Sequence, residues 1–175
     1  KWALYTIGQY CDASAPDGYG GSESRYTFNA VIDRRENAFK VLGLVAAAFM
    51  GVTWWGAGMI TATQDSPGSA VKLATNANVV GGLFTYEGVD IAAQHSVALV
   101  TWCNPADLFV NEVEVVEDPV RIAKYGWKPL AIEARYCTSR GFARRIGRFA
   151  LEAEGTGAEV CSWTAGYDHA DLRPG

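Results

Sequence analysis

The sequence predicts an α+β fold with mainly antiparallel sheets. Short alternating stretches joined by hairpin-length links dominate its first half, which disfavours a doubly wound parallel sheet. Two longer helices, at about 34–50 and 139–154, are marked by periodic apolar residues and caps, and shorter ones are expected near 2–10 and 118–125. Hydrophobic residues make up 49% of the 175, with six Trp, eight Tyr and seven Phe, enough for a packed, aromatic core and too many for disorder.

Trp2, Tyr5, Ile7 and Tyr10 have the rough spacing of a short helix. Pro16-Asp17-Gly18-Tyr19-Gly20-Gly21 is a turn-dense loop whose glycines allow positive φ. It is no phosphate cradle, because no strand precedes it and the Lys-Ser/Thr ending is missing. Arg25 to Ile32 alternates and predicts a strand. Asp33 and Glu36 form a capping-box-like pair. They open a helix with Phe39, Leu42, Val45, Ala46 and Phe49 on one face and Gly51 as its C-cap. Val52 to Trp55 and Met59 to Gln64 predict a hairpin turning at Gly56-Ala57-Gly58, and Asp65-Ser66-Pro67-Gly68 is a break.

Val71 to Ala74 reads as a weak edge strand and Asn76 to Asn78 as a turn; Val79–Tyr86 and Ser96–Trp102 read as strands. Glu112 to Val116 alternates acids with valines, predicting a strand with solvated acids and buried valines. Asp118 is an N-cap with Pro119 in the first helical position, and Gly126 ends that helix. Leu130–Tyr136 is a strand. Thr138 or Ser139 caps the last helix, with Phe142, Ile146 and Phe149 inward, and Val160–Tyr167 closes the chain as a strand. One domain over 1–175 is expected, cut from something longer, with a strand–helix–hairpin unit at 1–65 and a strand-rich unit at 66–175.

The formal net charge of −4 argues against sequence-independent nucleic-acid binding, where basic character dominates affinity. No signal peptide is apparent, and the longest apolar run, Val41 to Trp55, is too short to span a bilayer. Cysteines 11, 103, 137 and 161 have no paired metal-ligand spacing. They read as free, buried or half-buried thiols, and no metal or other cofactor is expected.

The densest acidic cluster is Glu112, Glu114, Glu117 and Asp118. Glycoside hydrolysis needs two facing carboxylates, whereas these read as a solvated strand face plus a cap. Ser139, Cys137 and Cys103 are candidate nucleophiles, but neither His95 nor His169 lies in a motif that supplies a base. Trp54 and Trp55 are adjacent on a strand, so their rings face opposite ways and make no sugar platform. Arg140, Arg144 and Arg148 recur at helical spacing as a basic stripe, with Arg145 beside it. Three readings compete: a solvated face paired with Glu152 and Glu154, a contact with another subunit, or the lining of a DNA channel. An enzyme is not expected.

In order along the chain, Tyr5 to Asp12, Pro16 to Gly21, Arg25 to Asn29, Arg34 to Leu42, Gln64-Asp65, Asn78 to Val80, His95, Val116 to Pro119 and Cys137 to Gly141 carry a resemblance. The chain resembles the host-specificity or tip attachment proteins (protein J) of lambda-like phage tails. No one motif is diagnostic; the ordered set is. Cys11 and Cys137 match family positions, whereas Cys103 and the shortened loop from Pro105 to Asn111 depart from the pattern. The resemblance implies a fragment of the hub that closes the tail tube, encoded by a prophage. It implies a full-length homotrimer, contacts to other tail-tip and tail-tube proteins, and transient passage of DNA. It further implies that the host outer-membrane receptor is met by regions outside this fragment and that assembly takes place in the cytoplasm of the bacterial host. The resemblance supplies no catalytic residues. The alternative is a tail-associated peptidoglycan or glycan hydrolase, or a glycan-binding module.

Overall fold

The computed structural model describes residues 2–56, 58–65, 68–88, 94–157 and 159–172. In chain order the elements are α1 (Trp2–Asp12), β1 (Ser14–Pro16), β2 (Ser22–Ser24), α2 (Ala38–Ala48), β3 (Gly51–Gly56) and β4 (Met59–Gln64). They continue as β5 (Val79–Gly88), β6 (Val97–Asn104), β7 (Val110–Glu117), α3 (Pro119–Tyr125), β8 (Pro129–Glu133), α4 (Arg140–Thr156) and β9 (Glu159–Ala165).

The core forms where α4 lies on a three-stranded sheet of order β7-β6-β8. Ala98, Val100 and Trp102 of β6 point to the helix, and so do Val116 of β7 and Phe142, Ala143, Ile146 and Leu151 of α4 from their side; all are buried. Burial on this scale is the main stabilising term for such a domain. β6 runs antiparallel to β7 but parallel to β8, so the central sheet is mixed, while the β1–β2, β3–β4 and β5–β9 pairs are antiparallel. The fold is α+β, as expected.

Main-chain bonds define the sheet's open edge. Asp118 N–H donates to Ser96 O at 3.0 Å, whereas Thr101 O accepts from Ala134 N–H at 2.9 Å and Cys103 N–H donates to Cys137 O at 3.0 Å. Even-numbered residues of β6 therefore address β7, and odd-numbered ones address β8 and the turn after it. By the same alternation Glu112, Glu114 and Val116 address β6, while Asn111, Val113, Val115 and Glu117 turn their N–H and C=O groups away from the sheet.

Several expectations are corrected. The strand expected over 25–32 is extended chain without a ladder. Its alternation is real, because Tyr26, Phe28 and Ala30 pack on the core. It is held by isolated bonds, Tyr26 N–H to Cys11 O at 3.1 Å and Asn29 N–H to Tyr136 O at 3.0 Å, so it pairs with no strand. The helix expected over 34–50 starts at Ala38, because the Asn37 side chain accepts the Phe39 N–H at 2.9 Å and Asp33 lies near Arg34 instead. Its C-cap is Phe49, and Met50 takes the left-handed turn with φ 54°. Gly51 begins β3 instead, where an added Cβ would lie 2.6 Å from Thr63 O. No strand forms at 71–74, and β8 stops at Glu133 rather than 136. The hairpin at 51–64 forms as predicted, although its turn residue Ala57 and the break residues Ser66 and Pro67 lie outside the described residues. Ser139, not Thr138, caps α4.

Phe142 fills the space between α4 and the sheet and touches the Tyr26 and Tyr136 rings at 5.8 and 6.1 Å. Truncation to alanine is expected to destabilise the chain by about 3–5 kcal/mol. Trp55→Ala, at a ring left 67% exposed, is expected to shift stability by no more than about 0.5 kcal/mol. Urea unfolding followed by circular dichroism measures both.

Candidate functional site

The basic face of α4 is the one place where several sequence candidates converge. Its N-terminus is capped by Ser139, whose Oγ accepts the Phe142 N–H at 3.3 Å and donates to the Glu23 carboxylate. Arg145 reaches the same carboxylate at 2.8 Å. It also donates to three main-chain carbonyls of the N-terminal hairpin, at Pro16 (3.0 Å), Ser24 (3.2 Å) and Arg25 (3.0 Å). One guanidinium thus clamps β1 and β2 onto the helix. The approach is close: a Cβ at Gly141 would sit 2.8 Å from the Asp17 Cα.

The loop between β1 and β2 is shaped by Asp17, whose Oδ1 accepts the N–H groups of Tyr19 at 2.7 Å and Gly21 at 2.9 Å. Those two bonds hold its carboxyl below the usual carboxylate range. They also aim Tyr19 over the helix, with the Arg140 guanidinium 4.4 Å and that of Arg144 5.4 Å from its ring centre. The Tyr19 hydroxyl donates to Glu114, which also accepts from Arg140 Nε at 2.8 Å. Burial, then the bond to Glu114, pushes the Tyr19 phenol up.

This reverses the expected strand face. Glu112 and Glu114 point toward the helix side, with Glu114 buried and Glu112 accepting from Asn104 Nδ2 at 2.6 Å, while Val113 and Val115 stand 55% and 48% exposed. The cause is β7's neighbour: Arg140 and Tyr19 compensate the carboxylate that an apolar core would reject.

Arg140, Arg144 and Arg148 do share one face, but not one condition. Arg140 is engaged by Glu114 and Tyr19, and Arg148 pairs with Glu152 at 3.3 Å. Glu154, expected to pair with the stripe, holds His95 Nδ1 at 2.8 Å and lies 3.7 Å from Arg121 instead. Among the described residues, Arg144 has no carboxylate partner. With Arg148 and Glu152 it lines two neighbouring grooves. One, of about 630 Å³, runs along Val115 to Pro119; the other, of about 350 Å³, lies against Asp17, Gly18 and Phe149.

The remaining candidates are not gathered into a reactive centre. Asp118 caps α3, accepting the N–H groups of Val120 and Arg121 at 3.0 and 3.2 Å, and Glu117 is exposed. Cys137 donates to Ser139 O at 3.1 Å and Cys103 to Phe109 O at 3.2 Å, and the four thiols are free. His95 sits on Glu154, and His169 is buried beside Asp168 at 3.0 Å. Among the described residues no cluster of three or more His, Cys, Asp or Glu could hold a metal ion. Trp54 is half-buried and Trp55 exposed, on opposite faces of β3. Arg121 was not legible from the sequence. Only 11% exposed, it donates to His95 O at 2.8 Å and ties α3 to the far end of α4. The partners of Glu23 and Tyr19 lie 116 and 95 residues away, beyond any local motif.

Residues 37–175 match the model of a family described as "Putative phage tail protein". The chain belongs to this phage tail family. It is 32% identical over 152 residues to the tip attachment protein J of Escherichia phage SECphi27, covering 87% of this chain and 13% of that protein. It is also 32% identical over 176 residues to the tip attachment protein J of Escherichia phage SECphi4, covering 100% of this chain and 15% of that one. The chain therefore spans about 13–15% of the length of these curated relatives. No helix among the described residues is long and apolar enough to cross a membrane.

Arg145→Ala leaves the Glu23 carboxylate to Ser139 alone and frees three hairpin carbonyls, at a cost of about 1–3 kcal/mol, and hydrogen exchange over residues 14–25 is expected to quicken more than elsewhere. Burial raises the Cys137 thiol from 9.0 to about 11. The unfolded chain then loses this proton first, so the stability from the neutral thiol is complete below pH 9 and lost as pH climbs to about 11. Urea titrations across that window are expected to show the decline, and Cys137→Ala to lessen it, leaving the part above pH 10 that comes from the Tyr136 phenol, which burial pushes up to about 12.

Proposed function

We propose that this chain is a structural part of the virion tail tip, in the hub that closes the tail tube and supports host attachment and DNA delivery. The observation that carries this reading is the 32% identity to two tip attachment proteins over 87% and 100% of the chain. The exposed apolar side chains fit it: Leu83, Tyr86, Val113, Val115 and Trp163 are surfaces of the kind an assembly covers. The full-length protein is a homotrimer seated against other tail-tip and tail-tube proteins, with DNA passing through. Receptor contact belongs to regions beyond this chain.

Within this fragment, the Arg140–Arg144–Arg148 face is the subunit contact, centred on Arg144, the member without a carboxylate partner among the described residues. The part is not catalytic. A glycan hydrolase needs two carboxylates roughly 5–9.5 Å apart across a cleft, whereas Glu112, Glu114 and Asp118 are each engaged by Asn104, by Arg140 with Tyr19, or by the α3 N-terminus.

Antibodies raised against the chain are expected to label the tail tip in electron micrographs of virions; label on the head or along the tube overturns the reading. Arg144→Glu in the phage is expected to lower the yield of infectious particles about tenfold, consistent with loss of roughly 1.4 kcal/mol of contact. Peptidoglycan zymograms are expected to stay uncleared.

A further inference from the structure

The sheet edge beside Arg144 is built like a receptor for a strand. Asn111, Val113, Val115 and Glu117 direct their main-chain donors and acceptors away from the sheet, and β7 pairs only with β6 among the described strands. β7 is eight residues long, regular in register, and carries exposed valines. Short length, bulges, proline and lysine, which ordinarily blunt an edge strand, are absent between Val110 and Val116, and the two inward-pointing acids, Glu112 and Glu114, are held by Asn104 and Arg140. The groove of about 630 Å³ follows its last residues, with Arg144, Arg148, Leu151 and Glu152 as the opposite wall; of its three carboxylates, Asp118 is taken by the α3 N-terminus and Glu152 by Arg148, and Glu117 is exposed.

We infer that β7 is a docking edge for an extended, alternately apolar segment of another polypeptide, which adds as a fourth strand with one carboxylate against Arg144. Charge and pattern select this occupant. Arg140, Arg145 and Arg148 each have a carboxylate, and Arg144 has none among the described residues, so the groove side of the incoming strand supplies one. On the opposite face Val115 lies across from Leu99 of β6 and Val113 across from Thr101, so the incoming strand continues that surface with apolar side chains. Beside Glu112 and Glu114 the groove face of that strand is polar and uncharged, because like charges directly opposite repel, so its acid falls beside Val116 and Arg144. Pairing β7 with its own copy is disfavoured, because a two-fold axis at this edge brings two Arg144–Arg148 faces to one groove. The inference rests on the contact reading of Arg144 and adds its chemistry: main-chain pairing for affinity, Arg144 for register.

The test uses the chain as it stands and a fluorescein-labelled peptide in which valine alternates with threonine and one threonine is replaced by glutamate, followed by anisotropy. Saturable binding is expected. The peptide with lysine in place of that glutamate is expected to bind about tenfold more weakly, and Arg144→Glu to reverse that preference. Val115→Pro removes an outward N–H without breaking a bond to β6, and is expected to abolish binding while the circular dichroism spectrum is retained. Should that variant not fold, the same peptide N-methylated at alternate residues reports on main-chain pairing with the protein unaltered, and is expected not to bind. Equal binding of the glutamate, lysine and N-methylated peptides overturns the inference. So does the absence of saturation, or a dimer in sedimentation that the peptide fails to dissociate. These outcomes leave the labelling of virions untouched, so failure here and failure of the tail-tip reading are separable.

Discussion

The approach of α4 to β6 and β7 is the contact on which the other contacts depend. Its limit is Gly147, where an added Cβ would come within 2.8 Å of Val116 Cγ2 and 3.2 Å of Val100 Cγ2. With no side chain there, Phe142, Ile146 and Leu151 reach the sheet and bury against Val100, Trp102 and Val116. Interiors pack at crystal-like density, so a displaced helix loses many contacts together.

The first hairpin, α3 and the entry to β6 are then tied to the two ends of that helix. At its N-terminal half, Ser139 and Arg145 hold Glu23 and the first hairpin, and Arg140 holds Tyr19 and Glu114. At its C-terminal half, Glu154 holds His95 at the entry to β6, and Arg121 joins α3 to both. The charged groups differ in weight. The Arg148–Glu152 pair is exposed and worth less than about 1 kcal/mol. Glu114 and Arg121 are mostly buried, and there the loss of a partner leaves a charge without water.

Local signals were legible where local chemistry decides the outcome. Asp118 with Pro119 started a helix as read, because the cap and the fixed φ act within four residues. The β3–β4 hairpin and the apolar face of α4 were legible for the same reason. Asp33 and Glu36 misled because Asn37 offered a competing cap nearer the apolar run. Arg25 to Ile32 misled in another way: alternation reports that one face is buried, not that a neighbouring strand is present. The acids of β7 were assigned to water because acidic residues normally lie there, and the arginine and tyrosine that receive Glu114 are 26 and 95 residues distant.

The sequence by itself determined the α+β class, the caps and faces of the later helices, the phage-tail resemblance and the placing of three arginines on one helix face. Those properties follow from spacing, capping and composition within a few turns of chain. Only the tertiary structure decided which of the three arginines lacks a carboxylate among the described residues, which side of β7 faces water, and that no described strand pairs with its outer edge. Each depends on which segments meet across more than twenty residues, and that is settled by how α4 packs on the sheet.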